Sequence, residues 1–252
     1  MSYNSSNRIP EFSMGKVTLV GFGPGDPDLL TIAGERAIAN ADIIFHDDLV
    51  DIDFLDNYKA EKVYVGKRSH CHSFEQEAIH DLMLEAARIG KNIVRLKGGD
   101  SMVFAHGGEE IEFLKSKAVP VSIIPGICTG IAVAALTQIP LTLRGIAKSV
   151  AFITGHTSDV QLPNTDTLVC FMAGSTIHKI AAKAIAEGRD PNTPVALVYN
   201  VSLPDQQEFL STLKILSRTE DKFPTPVIII IGDVISYRQN LIQLTQEMLL
   251  SL

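Results

Sequence analysis

The chain has 252 residues, of which 46% are hydrophobic and 20% charged. It can therefore bury one large or two modest cores, and a disordered or fibrous protein is excluded. Its 22 basic and 29 acidic residues give a net charge of −7, so nucleic acid is not expected as the main partner.

Nine short apolar or β-branched runs predict strands, and segments with helical spacing, such as residues 76–89 and 177–186, lie between many of them. Strands that alternate with helices indicate an α/β protein whose sheets are covered on both faces. The nine runs are residues 17–20, 43–45, 63–65, 93–96, 121–124, 150–153, 168–171, 195–198 and 227–231.

A stretch of small residues that begins at Pro125 and runs to Ala135 has the composition of a domain junction. We therefore predict an N-terminal domain of residues 14–127 and a C-terminal domain of residues 128–252. Residues 1–13 are polar and are expected to form a mobile tail.

The cysteines and the apolar runs favour a cytoplasmic protein. Cys71, Cys128 and Cys170 lie far apart and do not form the pattern of a disulfide framework. Residues 1–13 lack the apolar segment of a signal peptide, and the longest apolar run, 227–231, is too short to span a membrane. We expect no membrane partner.

Two glycine clusters follow predicted strands, at residues 21–26 and 98–100. Glycines let a backbone turn sharply or approach a ligand, and ligands of open α/β sheets bind beyond the carboxyl ends of strands. The first cluster is a poor dinucleotide fingerprint, because Asp26 replaces the third glycine and Pro24 lacks an N–H group. Together the clusters favour a ligand site, and plain tight turns are the alternative.

Cationic side chains lie near these clusters. Arg95 and Lys97 alternate with apolar residues and so share one face of their predicted strand. Two cations on one face of an inner strand need partners or a cavity, whereas a solvated edge strand would also accommodate them. His70-Cys71-His72 does not have zinc-ligand spacing, so no metal is expected.

Nine motifs, in the same order, resemble the tetrapyrrole methylase family, and the likeness runs from about residue 16 to residue 233. Within the family it is closest to members that methylate uroporphyrinogen III at carbon. The motifs are GFGPGDPDLLT (21–31), HDDLV (46–50), VGKRSHCH (65–72), RLKGGDSMVFAHGGEE (95–110), PGICTG (125–130), IPLTLRG (139–145), TGH (154–156), TLVCFMAG (167–174) and PVALVYN (194–200).

The resemblance implies two α/β domains with a cleft between them, and a homodimer. It also implies S-adenosyl-L-methionine as methyl donor, folded between the domains, with S-adenosyl-L-homocysteine as product and no metal. The donor contacts it implies are Pro24, Gly98, Gly99, Asp100, Val103, Cys128, Thr129, Met172 and Val201.

The resemblance further implies methylation of uroporphyrinogen III at C-2 and C-7, which gives precorrin-2 for siroheme or cobalamin synthesis. Asp47 and Lys67 match the family's candidate proton acceptor and proton donor. Uroporphyrinogen has eight carboxylates, which cationic side chains can pair with. The residues expected to bind it are Arg68, His72, Arg95, Lys97, His106 and Arg144.

The chain departs from the family pattern mainly in the substrate motifs. Ser101-Met102 replaces the usual Pro-Phe, His106 replaces an arginine, and Leu143 replaces a histidine. Two alternatives therefore stay open: methylation of a later precorrin, and a non-catalytic protein that binds the donor or a tetrapyrrole.

Overall fold

The computed structural model describes residues 13–66, 76–156, 160–219, 223–240 and 243. The chain forms two compact units. Unit 1 contains the described residues up to Gly23 and those of Pro27–Ile127, and unit 2 contains Pro24–Asp26 and the described residues from Cys128 onward.

Unit 1 is built on a sheet of five described strands in the order β3-β2-β4-β1-β5, and every neighbouring pair is parallel. The strands are β1 (Lys16–Gly23), β2 (Ile43–His46), β3 (Glu61–Tyr64), β4 (Asn92–Gly98) and β5 (Val121–Ile124). In the described part of this unit, a 3₁₀ turn (Pro27–Leu29) and four helices connect them: α1 (Ile32–Ala39), α2 (Ile52–Leu55), α3 (Gln76–Arg88) and α4 (Gly107–Ser116).

Each face of this sheet has its own apolar core. Val94 and Leu96 of β4 pack in one cluster with Ile38 of α1, whereas Ile93 packs on the other face with Met83 of α3. Both faces are covered, as the near-continuous apolar strands predicted. Because β4 pairs with β2 on one side and β1 on the other, the alternative of a solvated edge strand for Arg95 and Lys97 is wrong.

Unit 2 contains a second sheet of five described strands, in the order β6-β7-β10-β8-β9. β6 and β7 are parallel, and β10 runs antiparallel to both β7 and β8. The strands are β6 (Val150–Thr154), β7 (Thr167–Phe171), β8 (Pro194–Tyr199), β9 (Gln207–Thr212) and β10 (Val227–Ile231). Its described helices include α5 (Thr129–Thr137), α6 (Ile177–Ala186) and α7 (Leu213–Leu216), and residues 234–240 are also helical.

The α/β class predicted from the sequence is confirmed, with a sheet in each unit. The sequence did not predict β9, a polar strand at the sheet edge whose Phe209 is 51% exposed. Within the described ranges, no helix is long and apolar enough to cross a membrane.

Candidate functional site

In unit 1, three backbone segments meet closely at the carboxyl ends of β1, β4 and β5. A Cβ atom added to Gly21 would lie 2.5 Å from the Gly126 nitrogen and 2.7 Å from the Gly99 oxygen. Gly23 and Gly99 exchange two backbone hydrogen bonds, of 3.1 and 2.6 Å. Side chains at Gly21 and Gly126 would collide with backbone, so these motif glycines are needed for close packing of the loops.

Asp100 joins the same loops through its carboxylate. Its Oδ1 accepts from the Met102 N–H (2.8 Å), and its Oδ2 accepts from the Gly126 N–H (3.0 Å). Gly99, just before it, has a φ of +67°, which favours glycine. The half-buried Val103 donates its N–H to the Asp100 carbonyl (3.2 Å). The predicted donor residues of unit 1 therefore lie in one loop, which these hydrogen bonds hold in place.

The loop after β2 places Asp47 beside this region. Asp47 is half-buried, and its Oδ1 accepts from the Leu49 N–H (3.2 Å). A Cβ atom on Gly98 would lie 2.7 Å from Cβ and 2.8 Å from Cδ1 of Leu49. The absence of a side chain at Gly98 thus lets the Asp47 loop pack against the glycine-rich loop.

His46 precedes Asp47 and is 5% exposed. Its Nδ1 lies 3.3 Å from the Asp47 carbonyl oxygen, and its ring meets Tyr64 edge to face. Burial lowers the pKa of His46 despite the opposing contributions of Asp47, so the ring is neutral at pH 7. His46 therefore supports the loop as a neutral aromatic group.

Arg95 and Lys97 face a buried carboxylate that the sequence analysis missed. Oε1 of Glu110 accepts from Lys97 Nζ (2.8 Å), Gln76 Nε2 (3.1 Å) and Arg95 Nε (3.3 Å). The side chains of Arg95 and Lys97 are each 5% exposed, and that of Glu110 is 0% exposed. Direct contact of Arg95 and Lys97 with the substrate stays a prediction. In the structure, both positive charges are paired with Glu110.

The charges within this cluster change the pKa values of Glu110 and Lys97. Burial opposes ionisation of Glu110, but the charges of Arg95 and Lys97 outweigh it and lower the pKa of the carboxyl. Burial and the Arg95 charge lower the pKa of Lys97, and Glu110 opposes that shift. A sequence signal for Glu110 did exist, because its spacing from Gly107 and Leu114 places all three on the buried face of α4.

Two other predicted substrate residues, His106 and Arg144, are exposed. His106 has a φ of +56° at the start of α4, and its Nδ1 lies 3.1 Å from Oε1 of Glu109. Arg144 of unit 2 is exposed beside a turn in which the Leu143 N–H donates to the Ala147 carbonyl (2.8 Å). Lys67, Arg68 and His72 lie outside the described residues.

In unit 2, β6, β7 and β8 run in the same direction, so their carboxyl ends share one edge of the sheet. Met172 follows β7 with a φ of +53° and is 47% exposed, and Val201 follows β8 and is 4% exposed. The Asp26 N–H donates to Oγ of Ser202 (2.9 Å), which ties the segment of Pro24 to the loop of Val201.

Cys128 and Thr129 lie at the N-terminal end of α5, in the same unit. The Cys128 carbonyl accepts from Ile131 (2.8 Å) and Ala132 (3.0 Å), which starts the helix. Gly130 is needed there because a Cβ atom would lie 2.7 Å from the Phe171 ring. Two cavities of unit 2, of about 260 and 620 Å³, are lined by none of the predicted site residues. Among the described residues, no cluster of three or more metal-ligating side chains is found.

Comparisons with known proteins agree with the motifs. Residues 16–216 match the family described as Tetrapyrrole (Corrin/Porphyrin) Methylases. A uroporphyrinogen-III C-methyltransferase of Bacillus subtilis (strain 168) is 41% identical over 241 residues, which cover 90% of this chain and 94% of the relative. A siroheme synthase of Actinobacillus pleuropneumoniae serotype 7 (strain AP76) is 39% identical over 238 residues. That match covers 90% of this chain but 49% of the relative, so the chain spans about half the length of that protein.

A solved structure is similar over most of the chain. The uroporphyrin-III C-methyl transferase from Thermus thermophilus, complexed with S-adenyl homocysteine, matches with a TM-score of 0.78 and 37% identity. The match covers 88% of this chain and 100% of the other. The resemblance inferred from the motifs is confirmed.

Proposed function

The chain belongs to the tetrapyrrole methylases, and from this membership we propose that it methylates uroporphyrinogen III at C-2 and C-7 with S-adenosyl-L-methionine, giving precorrin-2. The observation that carries the proposal is the 41% identity to the Bacillus subtilis relative over nearly the full length of both chains. The ordered motifs of the sequence support it.

The glycine-rich loop of unit 1 suits a bound donor. Gly98 and Gly99 present backbone without side chains, and the Asp100 carboxylate and the Gly126 N–H hold that backbone in place. We assign the donor to Gly98, Gly99, Asp100 and Val103 of this unit, and to Pro24, Cys128, Thr129, Met172 and Val201 of unit 2. S-adenosyl-L-methionine supplies an electrophilic methyl group on a sulfonium, so the task of these residues is alignment.

Asp47 is proposed as the proton acceptor. A pyrrole carbon forms a bond to the methyl group as the methyl–sulfur bond breaks, and S-adenosyl-L-homocysteine leaves. The methylated ring is then cationic and must lose a proton, which the Asp47 carboxylate can accept. Lys67 is proposed as the matching proton donor.

The substrate carboxylates are assigned to cationic side chains: Arg68, His72, Arg95, Lys97, His106 and Arg144. Exposed His106 and Arg144 can reach a large ligand, whereas Arg95 and Lys97 already share Glu110. The proposal also includes a homodimer in the cytoplasm, which sedimentation and cell fractionation would test.

The test incubates the purified full chain, without oxygen, with S-adenosyl-L-methionine and uroporphyrinogen III. We expect two S-adenosyl-L-homocysteine molecules per tetrapyrrole and, in mass spectrometry, a product heavier by two CH2 units, because one proton is lost for each methyl group added. Donor binding without turnover would favour the non-catalytic alternative. Faster turnover of a later precorrin, favoured by Ser101, Met102 and His106 in the substrate motif, would replace the proposed substrate.

A further inference from the structure

Glu110 has no part in the proposed methyl transfer, yet it is the centre of a buried charge cluster. Its side chain is 0% exposed, and it pairs with Arg95 and Lys97. A buried carboxylate is costly unless it is paired and hydrogen-bonded, and one oxygen of Glu110 accepts three hydrogen bonds. With both basic groups protonated, Arg95, Lys97 and Glu110 together have one net positive charge.

The cluster extends from α4 to the strand that leads to Asp47. Arg95 Nη1 donates to the Phe45 carbonyl (3.4 Å) and to the Leu96 carbonyl (3.0 Å). Phe45 pairs with Arg95 in the sheet and lies two residues before Asp47. Glu110 holds the Arg95 guanidinium at Nε, so a chain of polar contacts joins Glu110 to the carboxyl end of β2.

The charges of the cluster also interact with His46 and Asp47 at the carboxyl end of β2. The negative charge of Asp47 acts on Lys97, and the positive charge of Arg95 acts on His46. Among the described residues, the charged groups that act on Lys97 are Arg95 on its own strand, Glu110 on α4, and Asp47 after β2.

We propose that Glu110 is a positioning residue for Asp47: by binding the Arg95 guanidinium and the Lys97 ammonium, it holds both cations in place and fixes the carboxyl end of β2, which Asp47 follows. This inference rests on the proposed function. It gives Arg95 and Lys97 a role that acts through Asp47 and does not need contact with the substrate.

The first test compares Glu110→Gln with Glu112→Gln, a matched change at an exposed position of the same helix. Without the Glu110 charge, Lys97 loses its proton at lower pH, because burial and Arg95 favour its neutral form. We expect kcat to fall between about 10- and 100-fold. The alkaline limb of the kcat profile should move to lower pH. Glu110→Asp should keep the limb near its original position.

A second variant tests the proposal even if Glu110→Gln folds poorly. Lys97→Met leaves Arg95 and Glu110 as a one-to-one pair, so no buried charge is unpaired. We expect a lower kcat and an unchanged donor affinity, whether or not the KM for the tetrapyrrole also rises. An unchanged kcat with a raised KM would mean that Lys97 acts only by contacting the substrate, and it would overturn the proposal.

Hydrogen exchange separates this proposal from the proposed function. In Glu110→Gln, peptides that cover residues 43–50 should exchange faster, whereas Glu112→Gln should leave them unchanged. This readout needs no turnover, so it holds even if uroporphyrinogen III is the wrong substrate. Unchanged exchange in these peptides would overturn the proposal. A kcat loss that is equal at every pH and is accompanied by an equal loss of donor affinity would mean that Glu110 has a purely structural role.

Discussion

Gly98→Ala tests whether the absence of a side chain at Gly98, where Leu49 packs, sets the position of Asp47. The new Cβ atom would lie 2.7 Å from Leu49 Cβ, about 0.7 Å inside the 3.4 Å at which ordinary contact begins. Because Leu49 Cβ is bonded to the backbone, rotation of the side chain cannot relieve this overlap. The loop that carries Asp47 must therefore shift.

The size of this overlap indicates how much stability and how much kcat the variant should lose. Overpacking by one methyl group destabilises a protein by about 1–3 kcal/mol. A shift of about 1 Å in a reacting group can cost roughly 100-fold in rate, so an overlap of this size should lower kcat by about 10-fold or more. Gly108→Ala is the matched control, since no atom lies within 4 Å of a Cβ atom there.

The assay measures kcat with both substrates saturating, the donor Kd by calorimetry, and unfolding by circular dichroism. The double variant Gly98→Ala with Leu49→Gly removes the Leu49 Cβ atom, and with it the 2.7 Å overlap, and should recover part of kcat. Wild-type kcat in Gly98→Ala would refute the reasoning. No recovery in the double variant would mean that the defect lies in the donor site and not in the Asp47 loop.

Three further predictions follow from the same unit. Asp47→Asn should lower kcat by about 10²- to 10⁴-fold and leave the donor Kd unchanged; equal losses in both would mean a structural role. His106→Arg should lower the KM for a carboxylate-rich tetrapyrrole, because arginine pairs in bidentate fashion, and an unchanged KM would separate His106 from the substrate. Glu110→Gln should cost about 3–5 kcal/mol at pH 7 in urea unfolding, because it leaves buried cations unpaired. Since the folded pKa of Glu110 is lowered, its contribution is present above about pH 4.3 and is lost as the pH falls further. The difference in unfolding free energy between the wild type and Glu110→Gln should therefore become smaller in acid. A difference that does not change with pH would contradict the ion-pair explanation.

Much of the fold could be predicted because its signals are local. The apolar runs that predicted strands correspond to β1–β8 and β10, and helical spacing placed α3 and α6. The edge strand β9 was missed because its two apolar residues, Phe209 and Leu210, are adjacent and flanked by polar residues, which makes neither an apolar run nor an alternating pattern. Glu110 was missed as a site residue for a different reason: its partners are 13 to 34 positions away in sequence.

The sequence by itself determined the family, through motifs whose order and spacing are visible without coordinates. It also placed the glycines at strand ends, because only glycine permits close backbone approach. Tertiary structure decided the order of the strands, and hence that β4 is an inner strand. That order buries Arg95 and Lys97, and burial makes their charges costly unless α4 supplies Glu110. The acidic net charge of the chain is thus compatible with buried positive charge behind Asp47, because charge acts locally in a low-dielectric interior.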